Sequence, residues 1–251
     1  MAPALAPAAL FGLIIGSFLN VVAWRLPRGE SLVRPRSKCP GCGELVKPYD
    51  NVPIVSWLAL RGRCRGCGER ISARYPVVEG LTGALYVAVV AVHWDDPLRI
   101  VLGLVLVTFL VPIAVIDLDQ RIIPNKLTAP AALLAPVLGL ALDPSFVPEQ
   151  LIAGLAAGLF FFLPALINPK GMGMGDVKLA AVLGLYLGRN VGLAVLVALV
   201  VGTVVGGAIV ARYGTTRGRK MAVPFGPFLA LGALVAMFAG DALVSGYLDR
   251  F

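Results

Sequence analysis

Long apolar segments decide what this chain can become. Eight of them, Ala4–Trp24, Pro76–Trp94, Leu98–Ile116, Leu127–Leu142, Glu149–Ile167, Met174–Gly188, Val191–Ala211 and Phe225–Tyr247, carry few charges. Most approach the roughly 20 residues that a helix needs to cross the hydrocarbon of a bilayer. A soluble domain has about a quarter of its residues charged; here the figure is 14%. The expected fold is an all-α polytopic membrane protein with about eight transmembrane helices. The fourth and sixth segments are short, which gives a range of seven or eight. Abundant Gly and Ala within the segments suits close helix packing in lipid.

Lys and Arg placement predicts the orientation. Nineteen of the 22 basic residues fall in loops on one alternate side: eleven from Arg25 to Arg74, then Arg121, Lys126, Lys170, Lys178, Arg212, Arg217, Arg219 and Lys220. The opposite side holds Arg99, Arg189 and Arg250. The basic side is expected to be cytoplasmic, with both termini outside. The net charge of +8 then reflects topology rather than a nucleic-acid surface. Ala4–Trp24 has no basic start and is followed by Arg25 and Arg28, so it is read as a retained first span, not a signal peptide. The expected organisation is a first helix over 1–24, a loop domain over 25–75 and a membrane core over 76–251.

All four cysteines lie in the large basic loop, as Cys39-Pro-Gly-Cys42 and Cys64-Arg-Gly-Cys67, each pair followed by glycine. Two such knuckles, 21 residues apart, match a structural zinc site of four thiolates resembling a zinc ribbon. A loop too small for its own core gains its fold from the metal. The alternative is a pair of redox-active CxxC motifs; it lacks the βαβ context such motifs have.

The chain has one histidine, His93. That argues against Ser-His-Asp and Cys-His catalysis. With the thiols assigned to metal, carboxylates remain. Asp117 closes the third apolar segment, just before Ile123-Pro124-Asn125, and Asp176 opens the sixth within Gly171-Met172-Gly173-Met174-Gly175-Asp176-Val177-Lys178. The predicted topology puts both acids on one face at one depth. Two close carboxylates share a proton, so one can act as base and the other as acid. The plainer readings are a helix cap for Asp176 and a surface position at a helix end for Asp117.

These features resemble the prepilin peptidases, the type IV leader peptidases. The resemblance rests on Gly173-Met-Gly175-Asp176, on the Asp117 segment through Pro124 and Asn125, and on the double CxxC loop. Gly16-Ser-Phe-Leu-Asn20-Val-Val22, Arg25-Leu-Pro27, Tyr49 to Leu58, Tyr75 to Gly83 and Pro224-Phe-Gly-Pro227 extend it along nearly the whole chain. It implies a membrane aspartyl protease of the GxGD type, with Asp117 and Asp176 as its two catalytic aspartates. Gly173, Gly175, Lys178, Pro124 and Asn125 are then supporting motif residues. The implied substrate is a type IV prepilin or type II secretion pseudopilin, cut at the cytoplasmic boundary of the bacterial inner membrane. The resemblance further implies N-methylation of the new terminus with S-adenosylmethionine, and Glu79 is a candidate contact for that step. The competing expectation is a non-enzymatic scaffold of a secretion system that docks partners through its zinc loop.

Overall fold

The computed structural model describes residues 2–167, 172–218 and 223–248. Gly171, Lys170, Arg219, Lys220 and Arg250, all used above, lie outside the described residues. Among the described residues the chain is helical, with no strand. The order is α1 (Ala2–Arg25), α2 (Val55–Ala59), α3 (Arg74–Val92), α4 (Pro97–Gln120), α5 (Asn125–Leu142), α6 (Val147–Ile167), α7 (Met174–Leu187), α8 (Val191–Gly218) and α9 (Gly226–Leu248). Two compact units result, one up to Asp96 and one from Pro97 onward.

The first unit pairs α1 with α3. Gly12 and Gly16, four residues apart, face Gly83 and Glu79: a Cβ on either glycine would meet the opposing Cα at 2.8 Å. Small residues at this spacing let membrane helices approach backbone to backbone. Asn20 adds a bond from Nδ2 to the Tyr75 carbonyl at 3.2 Å. Because α3 packs along α1, this unit runs through the loop to Asp96.

The second unit holds α4 to α9. Its core is mostly aliphatic, with Leu106, Ile113, Ile116, Leu179, Leu183 and Leu229 fully buried beside Phe161 and Gln150. Outward-facing Leu133, Leu155, Leu166 and Val204 remain exposed, as lipid-facing positions do. Among the described residues, seven helical stretches are long and apolar enough to cross a membrane. One of them, Met174–Thr215, has 42 residues, or about 63 Å at 1.5 Å per residue. That is twice the hydrocarbon thickness of ~30 Å. Gly188, at φ +55° and ψ −138°, breaks it into α7 and α8. The eight expected segments therefore correspond to these seven stretches, the sixth and seventh segments being the two parts, α7 and α8, of the longest.

Candidate functional site

The end of α4 is set by its sequence. Arg121 adopts φ +56°, a left-handed conformation that is uncommon outside glycine, and its N–H bonds back to the Asp117 carbonyl at 2.9 Å. Ile122, Ile123 and Pro124 then lead into α5, whose N-cap is Pro124. This turn delivers Ile123 to the start of α7. A Cβ on Gly175 would lie 2.9 Å from Ile123 Cβ, so only glycine allows that approach. Beside it, Lys178 Nζ donates to Asn125 Oδ1 at 3.0 Å. The turn after Asp117 and the turn carrying Asp176 are thus in contact through Ile123–Gly175 and Asn125–Lys178.

Asp117 is buried, with 5% of its surface exposed. Its Oδ2 accepts a hydrogen bond from the backbone N–H of Gly226 at 2.9 Å. Phe225 accepts from Phe228 and Leu229 and so acts as the N-cap residue of α9. Gly226 is then the first helical position, whose N–H has no partner inside the helix. Helix N-termini offer such donors to anions. Asp176 is half-buried and lies within electrostatic reach of Asp117. The N-cap of α7 is Gly173, not Asp176. Asp176 is the third helical residue, and its Oδ2 sits 3.2 Å from where a Gly173 Cβ would be. That is the placement of the acid in a capping box. Asp176 therefore closes its own helix end, within electrostatic reach of Asp117.

Gly226 was not among the expected site residues. A backbone donor leaves little trace in sequence. The available signal was Gly226-Pro227 opening an apolar helix: proline in the first turn removes a competing N–H.

The cysteine loop is built twice over. In each knuckle the first cysteine exchanges backbone bonds with the residues after the second: Cys39 with Gly43 and Glu44, Cys64 with Gly68 and Glu69, all at 2.8–2.9 Å. Isolated bridges Lys38–Leu45 and Arg63–Arg70 close the two turns, and Gly43 and Gly68 take φ +72° and +74°. The Glu69 carboxylate covers Gly41, and the Glu44 carboxylate covers Gly66. The two knuckles thus mirror each other. All four Sγ atoms lie within 4.8 Å of one another, with Cys39–Cys67 at 3.7 Å and Cys42–Cys64 at 4.0 Å. A tetrahedral metal with bonds of ~2.3 Å to sulfur needs S–S separations of about 3.8 Å, so the tetrad fits a metal ion. Backbone N–H groups of Cys67 and Gly66 draw the Cys64 thiol down to about 7. For Cys67 the Glu69 N–H works downward, but desolvation and the other three sulfurs push it up to about 12. One thiolate forms readily, and a cation favours the rest.

Two contacts tie this loop together. Arg65 forms a fork to Asp50 at 2.7 and 3.0 Å, and its hydrogen bonds hold the Asp50 carboxyl below the usual range. Glu79, buried at 7% exposure, accepts the Ile54 N–H at 2.8 Å. Its carboxylate thereby anchors α2 to α3.

Residues 10–93 match the family model described as the bacterial peptidase A24 N-terminal domain, and residues 104–210 match that of the type IV leader peptidase family. A prepilin leader peptidase/N-methyltransferase of Aeromonas hydrophila is 37% identical, covering 96% of this chain and 93% of that protein. One of Bacillus subtilis is 34% identical over 95% of this chain and 96% of its own length. One of Myxococcus xanthus is 43% identical over 71% of this chain, and the match spans about half of that protein, 54%. No solved structure matches.

Proposed function

The chain belongs to the type IV leader peptidase family, and on that premise we propose how its residues divide the family's two activities. It is a protease and an N-methyltransferase, as the shared name of its relatives states. We assign cleavage of the prepilin leader to Asp117 and Asp176. One observation supports this: α4 ends and α7 begins at the same turn contacts, Ile123–Gly175 and Asn125–Lys178, which brings the two acids within electrostatic reach of each other, with Asp117 on the N-terminus of α9.

The chemistry follows from the pair. Two neighbouring carboxylates resist double ionisation and hold one proton between them. The ionised member takes a proton from water, which attacks the scissile carbonyl. The protonated member donates to the carbonyl oxygen. Gly226 N–H fixes one oxygen of Asp117 throughout. We take this end of the second unit to face the cytoplasm, on the strength of the basic residues in its loops, with both termini outside. A prepilin, or a type II secretion pseudopilin, would lay its apolar helix in the bilayer and present its basic leader junction at that boundary.

Zinc is the metal we assign to Cys39, Cys42, Cys64 and Cys67, as a structural ion that folds a loop without a core of its own. Serine at any one of these positions is expected to release it, measured as metal content of the purified protein, while helix content stays near wild type. S-adenosylmethionine, when bound, supplies an electrophilic methyl group to the new N-terminal amine. A cavity in the first unit is lined by Arg25 and Arg36 and by no carboxylate. It is a poor match to a sulfonium cation, and we place no step of methyl transfer there. Glu79, committed to Ile54, is assigned to holding the loop.

The test is incubation of the purified protein with a prepilin in detergent. A shortened product is expected, and methyl incorporation on adding S-adenosylmethionine. A chain that leaves the prepilin intact under conditions in which a relative processes it overturns the reading. Lys178→Met is expected to lower kcat by about ten-fold or less, as loss of one exposed charge-assisted bond predicts. Adding Asn125→Ala should then cost nothing further, since both changes remove the same contact.

A further inference from the structure

The cavity of about 360 Å³ in the first unit is lined by Arg25, Leu32, Val33, Arg36, Val46 and Asn51 among others, and by no acidic side chain. Arg25 is the last residue of α1. Its Nη1 donates to the Ser31 carbonyl at 2.9 Å, and Arg36 Nη2 reaches the Val46 carbonyl only at 3.5 Å. A guanidinium carries five N–H donors in a planar fork, so each retains donors for a ligand. Two such forks without a balancing carboxylate make an anion site, and phosphate is the group that arginine pairs with in bidentate geometry.

The depth of the cavity narrows the ligand further. Leu10, Phe11, Ile14 and Phe18 on α1 are exposed apolar residues, as expected of a lipid-facing stripe. Trp24 follows, 57% exposed, with the Arg28 guanidinium stacked 3.7 Å over its ring. Tryptophan and basic residues in this order mark the headgroup layer. Arg25 lies between them, so the cavity opens where α1 leaves the hydrocarbon. Its wall includes Leu32 and Val33, the latter 80% exposed. A soluble anion gains nothing from such a wall; a lipid's glycerol and acyl carbons do. We propose that this cavity seats the phosphate of an anionic phospholipid, with Arg25 and Arg36 on the phosphate and Leu32 and Val33 against the glycerol end.

The proposal is independent of the aspartate chemistry. Native mass spectrometry of the full chain, with phosphatidylglycerol and phosphatidylcholine of matched acyl chains in competition, reads it directly. Phosphatidylglycerol should be retained preferentially. Arg36→Gln should reduce that preference roughly five-fold, the value of one basic group at an anionic surface. Arg63→Gln removes an equal charge from the second knuckle and should leave it unchanged. As a measurement on the unaltered protein, arginine-directed labelling in vesicles should find Arg25 and Arg36 shielded by phosphatidylglycerol and not by phosphatidylcholine, with Arg63 labelled in both. Equal retention of the two lipids, an equal loss in Arg36→Gln and Arg63→Gln, or shielding by inorganic phosphate as complete as by the lipid would each overturn it.

Discussion

Asp117→Asn and Asp176→Asn are each expected to lower prepilin cleavage by roughly a thousand-fold or more, the scale at which a positioned acid or base contributes and at which members of one catalytic unit fail together. The substitution is nearly isosteric. At position 117 an amide oxygen still accepts the Gly226 N–H, so the 2.9 Å bond that holds α4 to α9 can persist. What disappears is the shared proton, since an amide neither takes one from water nor gives one to a carbonyl. The double variant should be no slower than the slower single one, because half of the pair has no chemistry of its own. Helix content and metal content should match the parent, as the cysteine tetrad belongs to the first unit. Full cleavage in either single variant would remove the pair from the mechanism and favour a scaffold that works through its loop.

Much of this arrangement is legible in the sequence. Carboxylates are conspicuous beside long apolar runs, and both acids mark the ends of such runs. Four cysteines in two matched knuckles declare their shared geometry, because each pair brings its own glycine for the turn. The even alternation of basic loops made eight apolar segments self-consistent. Less of the packing could be read. Gly12 and Gly16 looked like any small residues in a membrane helix, and nothing in composition says that α3 is their partner. Membrane helices are alike in hydropathy, so their pairing is decided by shape, here by Gly12 against Gly83 and Gly16 against Glu79. A helix cap and a reactive acid are the two readings the sequence offers for Asp176. The two are compatible: it is the third residue of α7, folded back over Gly173, and it lies within reach of Asp117. Gly175 enters from the sequence only as a motif residue. Its effect is more specific, since it admits Ile123 and so joins the two turns.

Gly226→Ala is expected to reduce kcat by about a hundred-fold while the substrate's KM stays near its original value. Gly226 is not among the residues at positive φ, so alanine fits its backbone conformation without strain. The obstacle is Asp117: a Cβ at position 226 would lie 2.7 Å from Oδ2 and 3.2 Å from Cγ. Those atoms belong to a buried side chain on one of the longest helices of the second unit, and the N–H that holds them is on the same glycine. The carboxylate must therefore move, and its hydrogen bond must lengthen or break with it. Displacements near 1 Å at a reacting group cost on the order of a hundred-fold. Prepilin binding through its apolar helix does not pass through this contact, which is why the loss falls on kcat. Gly192→Ala is the matching control. No neighbour lies within 4 Å of a Cβ there, and alanine in place of a helical glycine should raise stability by about 0.5–1 kcal/mol with activity unchanged. If both variants behaved alike, steric pressure on Asp117 would have no part in the reaction. A loss confined to Gly226→Ala would give the N-terminus of α9 the task of positioning that carboxylate.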